Sequence, residues 1–446
     1  MSTRHPEGAS VLRPPTLAEP SPMSTRGRRL AFGSGVAALV FSFAANAAPV
    51  PLYNVYRNED GLTNGAVSLA VVAYSFGTIA ALLLLGRLSN YWGRRRTAVA
   101  SVVLVVLGCL MLLQVHSTGT LVGARLLMGV GSGIASTSLT AYIVDTAPRR
   151  PAWLASVASS QGPMFGLAVG SVGSGALVEF APLPRQLVYA VLGILLIVTS
   201  VLVAVSPETV PPRAGGWQSL RPRATLPARV RHLVPVAAAV FLATWATGSF
   251  YQALVPALVQ DQLHTASPLT IGLVFAAYMA SSAFGAPLGG RLTPPTAQRV
   301  GMLAFLVAMA GIITAISSGQ LPLFIAGTVV AGASQGVAIS ATVRGLLFGS
   351  TLADRAPIFT VIYLLSYSGA AFPSLIAGAL TGTVSLTTIA FGYGGLTLAA
   401  TAFTIIAARE PGISESPLER GPTSAADRGH GARREDTGSN DRPTVP

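Results

Sequence analysis

Lysine is absent from all 446 residues, so the 29 basic residues are arginines. Without lysine no GxxxxGK[ST] phosphate loop can be built, and the chain cannot supply the usual nucleotide-binding lysine itself. The single cysteine, Cys109, lies inside an apolar run. It excludes an intrachain disulfide and a cysteine metal cluster, and reads as a small packing residue. Charge is scarce as well. Only 10% of residues are charged, where a soluble protein carries roughly a quarter. A net charge of +13 would ordinarily suggest a nucleic-acid partner. With so few charges, and with its arginines scattered among apolar runs, the chain is not expected to bind nucleic acid. No HExxH or nucleophile-elbow pattern points to an enzyme, and nothing in the sequence calls for a cofactor or a metal.

What the chain has in abundance is apolar length, with a mean hydropathy of +0.60 and 51% hydrophobic residues. A bilayer core needs about 20 apolar residues per helix. Twelve stretches qualify: 31–52, 65–86, 97–114, 120–143, 154–177, 186–206, 232–256, 268–290, 300–317, 321–345, 356–379 and 385–407. The expected fold is an all-α membrane protein of twelve spans in two six-helix halves, 31–206 and 232–407. A polar N-terminal segment (1–30), a linker (207–231) and a tail (408–446) complete the chain. The first and last of these are expected to be disordered and cytoplasmic. The first thirty residues are polar and arginine-bearing, so span 1 is taken as a retained helix rather than a cleaved signal.

Arginine placement assigns the sides. With the N-terminus inside, the inner loops receive Arg87, Arg94, Arg95, Arg96, Arg149 and Arg150. The linker receives Arg213, Arg221, Arg223, Arg229 and Arg231, and Arg291, Arg299, Arg344 and Arg355 fall near later inner ends. Only Arg57 and Arg185 fall outside. This positive-inside bias agrees with an even number of spans and with both termini cytoplasmic.

The halves echo each other. "VVAYSFGTIAALLLLGRL" (71–88) and "VFAAYMASSAFGAPLGGRL" (274–292) each hold a tyrosine, Tyr74 or Tyr278, twelve residues before the glycine of Gly-Arg-Leu, Gly86 or Gly290. Both fall in the second span of a half. Duplicated six-span halves around a central path are the pattern of a secondary transporter.

With these residues in hand, residues 30–408 resemble the major facilitator superfamily. Between spans 2 and 3, Gly86, Gly93, Arg94, Arg95 and Arg96 match the family's loop pattern, while Asn90 stands where aspartate is usual and Tyr91 where a basic residue is usual. The resemblance implies a gating loop packed at the inner face. Asn90 cannot make an ionic contact, so any latch should rest on the arginines meeting Asp145 or helix C-terminal carbonyls. Topology alone is the other reading of these arginines. In span 4, Arg125, Gly129, Gly131 and Gly133 match a second pattern. An arginine about six residues into a span is costly unless paired, wet or snorkelling. It is therefore a candidate for proton coupling, as the resemblance implies, or for contact with an anionic substrate; reaching the outer head groups is the alternative. In span 5, Gly162, Gly166 and Gly170 share one helix face, and Pro163 can kink it. This resembles the glycine-proline pattern of the family's antiporters, although Ser171 occupies the proline's place. A close helix contact is the plainer reading.

No acidic residue lies within the span interiors. Glu59, Asp60, Asp145, Glu179, Glu208, Asp261 and Asp354 all sit at span ends. Asp60 is a candidate for titration at an outer vestibule, with an ordinary loop charge as the alternative. The candidate cavity residues are neutral: Ser42, Asn46, Tyr53 and Asn54 in span 1, Tyr74 and Tyr278, and Trp245, Thr247, Tyr251 and Gln252 in span 7. Such a set suits an amphipathic compound held by aromatic faces and a few hydrogen bonds. The leading reading is a monomeric, proton-coupled exporter (an efflux antiporter of the cell membrane) for drug-like or secondary-metabolite compounds. Its partners are a transported small molecule, protons and membrane lipid. The alternatives are an importer or facilitator of a small neutral solute, and a non-transporting sensor or scaffold.

Overall fold

The computed structural model describes residues 24–148, 151, 153–213 and 227–410, without the side chains of 352, 353 and 356. Most of the N-terminal segment and of the linker, Arg149, Arg150 and nearly all of the tail fall outside these residues.

Lipid offers no partner for a backbone amide, so each apolar stretch satisfies its own hydrogen bonds as a helix. Among the described residues, twelve helices are long and apolar enough to cross a membrane, and the chain is a multi-pass membrane protein. The N-terminal half contains α1 (Thr25–Ala47), α2 (Pro49–Asp60), α3 (Asn64–Leu85), the one-turn α4 (Ser89–Trp92), α5 (Arg94–Leu112), α6 (Thr118–Thr146), α7 (Trp153–Phe180) and α8 (Pro184–Val205). After a short 3-10 turn (Ala228–Leu233), the C-terminal half contains α9 (Val234–Ala253), α10 (Val255–Asp261), α11 (Pro268–Leu288), α12 (Pro294–Ser318), α13 (Leu321–Leu347), α14 (Leu352–Leu380) and α15 (Leu386–Ala407). Hydroxyl residues begin many of them. Thr63, Ser117, Ser267 and Ser385 each accept the backbone N–H three residues on, satisfying one of the amides a helix start leaves open.

Several boundaries differ from the sequence reading, most of all in spans 1 and 7 and at the start of α12, which begins at Pro294 rather than at 300. Helix α1 starts at Thr25 rather than at 31, because the side chain of Ser24 caps it through the Gly27 amide at 3.1 Å. The first span also does not stop at 52. It breaks at Ala48, ahead of Pro49 and Pro51, and continues as α2 to Asp60. Span 7 repeats this, breaking at Leu254 before Pro256 and continuing as α10. In both cases proline lacks the amide that an unbroken helix would need.

The internal duplication extends to packing. Helix α3 lies on α6, and α11 on α13. A side chain at Gly129 would strike the Tyr74 carbonyl, and one at Gly133 the Thr78 carbonyl; Gly332 and Gly336 face the Tyr278 and Ser282 carbonyls in the same way. In a bilayer, where apolar burial does not drive helices together, such small residues allow the close contact that does. The halves meet along α7 with α11 and along α3 with α14.

Candidate functional site

Between the halves lies a cavity of about 240 Å³, lined by residues of α1, α3, α7, α9, α11, α13 and α14. Its wall includes Tyr74, Trp245, Gln252, Gln335, Ser366 and Tyr367, along with apolar residues such as Phe43, Val71 and Leu167. Trp245 packs on Tyr367 with ring centroids 4.9 Å apart. Among the described residues no charged side chain lines this wall. Its character is aromatic and apolar with a few neutral hydrogen-bonding groups, which suits orientation of an uncharged molecule.

Of the residues proposed from sequence, Tyr74, Trp245 and Gln252 line the cavity. Asn46, Tyr251 and Tyr278 are not on this wall and are held by other partners. Asn46 is fully buried, and its Nδ2 donates to the Ser42 carbonyl at 2.8 Å and to Ser132 Oγ at 2.6 Å, tying α1 to α6. Tyr251 and Tyr278 stack face to face, 4.4 Å between centroids and 4° between planes. The Tyr251 hydroxyl pairs with Thr328 Oγ1 at 2.6 Å. The Tyr278 hydroxyl donates to Gln335 Oε1 at 2.8 Å and to the Thr244 carbonyl. A buried phenol needs a partner, and these find theirs inside the C-terminal half.

Arg125 is fully buried and does not reach the outer head groups. Its Nη1 donates to the Asn46 carbonyl at 2.8 Å, its Nη2 donates to Gln252 Oε1 at 2.9 Å, and the guanidinium lies 4.7 Å from the centroid of the Tyr74 ring. No described carboxylate pairs with it. A charge at mid-membrane costs on the order of 2.5–3.5 kcal/mol on insertion scales. Two charge-assisted hydrogen bonds at about 1.5–3 kcal/mol each and a desolvated cation–π contact of about 2 kcal/mol are large enough to hold it neutral-partnered. Tyr74 and Gln252 are at once its neighbours and part of the cavity wall.

Helix partners of the remaining singled-out residues are also clear. Gly166 and Gly170 on α7 meet the backbone of α1 at Val40 and Ala44, and Gly162 meets the side chain of Leu39. Pro163, inside α7, lines the cavity. Asp60 is held in a charged cluster. Its carboxylate accepts from Arg185, which also pairs with Glu59 at 3.0 Å, and it faces His116 Nδ1 at 3.2 Å, all at the outer end of one half.

At the arginine-rich end, Arg94 Nη1 meets Asp145 Oδ2 at 2.9 Å. Arg95 donates through its backbone amide to Glu208 Oε1 at 3.1 Å and through Nη1 to the Ser206 carbonyl at 3.0 Å. Gly93 has φ of +93°, and a Cβ there would fall 2.6 Å from Glu208 Oε2, so this corner needs glycine for both conformation and space. Gly86 closes α3, while Asn90 and Arg96 are exposed. The sequence reading missed Glu208, which sits at the N-terminus of α5 where a carboxylate is favoured. It also passed over Gln335, Ser366 and Tyr367; polar residues inside apolar spans were the available signal.

The contacts are asymmetric across the membrane. Among the described residues, the inner ion pairs Arg94–Asp145 and Arg229–Asp354 each stay within one half. At the outer end Arg57 pairs with Asp261 at 3.1 Å, Asn54 Nδ2 donates to the Pro256 carbonyl at 2.7 Å, and Glu179 Oε2 accepts from the Leu269 amide at 3.0 Å, all from one half to the other. The outer side is therefore closed, and the cavity lies on the inner side of that closure.

A family model described as Major Facilitator Superfamily matches residues 30–341. Among curated proteins, the Uncharacterized MFS-type transporter EfpA of Mycobacterium tuberculosis is 37% identical over 130 residues, 28% of this chain and 23% of that protein. The Myo-inositol transporter FST1 of Gibberella moniliformis is 28% identical over 98 residues, 22% of this chain and 17% of the relative. Probable inositol transporter 3 of Arabidopsis thaliana is 28% identical over 125 residues, covering 27% and 21%. The matches thus span less than a quarter of each of these relatives.

Proposed function

The chain belongs to the Major Facilitator Superfamily, and we propose that it is a carrier that moves a small neutral solute down its gradient by alternating exposure of the cavity between its halves. The observation that carries this reading is the charge-free cavity wall. A proton-coupled carrier needs a group that loads and releases protons in a low-dielectric site, most often a carboxylate. Here the described carboxylates sit at helix ends, and Arg125 is held by neutral oxygens. Relatives named for inositol transport agree with a neutral solute.

The proposal is tested with the purified chain in liposomes, following labelled myo-inositol and D-glucose in both directions. Uptake should stop at equal concentrations inside and out, and a protonophore should leave its rate unchanged. Accumulation that requires a pH gradient would overturn it. The largely apolar and aromatic lining favours a second reading, proton-driven export of amphipathic compounds, with the titrating group outside the cavity. That reading requires dye accumulation in expressing cells to rise when the protonophore is added.

A further inference from the structure

Gln252 belongs to two systems at once. It lines the central cavity, and its Oε1 accepts a hydrogen bond from Arg125 at 2.9 Å. Arg125 stands on α6 in the N-terminal half and Gln252 on α9 in the C-terminal half, so this bond joins the halves. It is the lowest rung of a ladder that climbs the break between α9 and α10. One turn further up, Asn54 donates to the Pro256 carbonyl, and Arg57, which donates to Asn54 Oδ1 at 3.0 Å, pairs with Asp261.

For the outer side to open, Arg125 and Gln252 must separate. That would strip a fully buried guanidinium with no described carboxylate partner of one of its two hydrogen bonds. Leaving such a group under-satisfied is expensive in a low-dielectric site. A solute hydroxyl can stand between a donor and an acceptor and satisfy both from a single atom, because it accepts through its lone pairs and donates through its hydrogen. A carbonyl can only accept, so it can pair with Gln252 only if the carboxamide first turns from Oε1 to present Nε2. Arg125 Nε is buried without a partner, which provides a further donor for an entering oxygen.

We propose that a hydroxyl of the solute inserts between Arg125 and Gln252, accepting from the guanidinium and donating to the carboxamide oxygen, and so releases the first rung of the outer closure. This rests on the neutral-carrier reading and narrows it to hydroxylated solutes whose frame packs on Trp245 and Tyr367. Gln252 is then a positioning residue that couples an occupied cavity to the outer closure.

The test measures the separation across the outer side with spin labels at Asn58→Cys and Gln262→Cys, in a Cys109→Ser background in liposomes. Gln252→Ala should add a longer separation even with no solute present. Gln252→Glu places a carboxylate opposite Arg125 and should keep the short separation under all conditions. In the parent, myo-inositol and cyclohexanol should raise the longer separation, whereas cyclohexanone should not. A Gln252→Ala distribution identical to the parent's overturns the role of Gln252. A parent that ignores both hydroxylated probes, or that responds equally to cyclohexanone, overturns the hydroxyl insertion. Failure of the neutral-carrier reading would show separately, as transport that needs a pH gradient.

Discussion

Arg57 and Asp261 face each other across the two halves, 3.1 Å apart, on short helices that continue spans 1 and 7 beyond their breaks. The pair occupies corresponding places in the duplicated halves, so the outer closure is assembled from the two copies of one structural device.

Both partners are partly exposed, and an isolated pair of this kind contributes about 0.2–1 kcal/mol. Arg57→Ala and Asp261→Asn should each populate the outward-open state more, by roughly 1.4-fold to fivefold at that energy, and exchanging the two residues should restore the parent population. High salt should reproduce part of the effect, because exposed pairs are screened. Thiol accessibility on the cavity side of the pair reads this out. An exchanged double variant that remains as open as the single ones would refute the assignment.

Arg125 should not tolerate replacement. Alanine removes both hydrogen bonds and the Tyr74 contact, and lysine cannot reproduce the fork that reaches the Asn46 carbonyl and Gln252 together. Transport should fall at least tenfold in both variants at unchanged expression, a loss of about 1.4 kcal/mol or more. Normal transport in both would show that the guanidinium serves packing alone.

Asn46 offers a complementary change. Its Oδ1 and Arg125 Nε are both buried without partners, and its carbonyl already accepts from the guanidinium. Asn46→Asp should therefore supply a titratable counter-charge. When protonated, the new side chain resembles the native carboxamide, so transport by the variant should approach the parent's as pH falls and slow as pH rises. The parent should vary less over the same range. Identical pH profiles for the two proteins would rule this out.

Close approach of helices predicts a contrast between neighbouring glycines. A Cβ at Gly170 would enter the backbone of Ala44, which has no free end to move, whereas one at Gly173 meets nothing within 4 Å. Gly170→Ala should destabilise by about 1–3 kcal/mol or more through overpacking, and Gly173→Ala should be neutral. Thermal unfolding in detergent compares them, and equal melting temperatures would contradict the packing.

Asp354 caps α14 outside the membrane-spanning part of that helix. The Thr351 backbone amide and side chain, with Arg229 beyond them, hold its carboxyl below the usual carboxylate range. A depressed value in the folded state means that its contribution is present above the unfolded value and disappears as pH falls through the folded one. Asp354→Asn should thus lower stability at neutral pH, and the difference from the parent should close in acid. A difference independent of pH would assign the effect to something other than this carboxylate.

Much of the architecture was legible in sequence because lipid imposes it. A spanning segment has to be apolar and about 20 residues long, so spans and pairing of halves follow from composition along the chain. The Tyr74–Tyr278 correspondence was legible too, and both carbonyls do face equivalent glycines. Their side chains nevertheless have different fates. In the N-terminal half Arg125, four residues before Gly129, covers the Tyr74 ring; in the C-terminal half Thr328, four residues before Gly332, anchors Tyr251, which covers Tyr278 instead. One tyrosine is left on the cavity wall and the other is sealed away.

By itself, then, the sequence determined that this is a twelve-span, duplicated membrane protein with an arginine-rich inner face, one intramembrane charge and closely packed glycines. Which residues meet across the halves was decided by tertiary structure alone: that Arg125 reaches Gln252, that Glu208 sits on the start of α5, and that the outer side is the closed one. The physical reason is that lipid and helix neighbours are both apolar. The faces of a membrane helix therefore carry little polarity contrast along the sequence, and only packing sets which way each side chain turns.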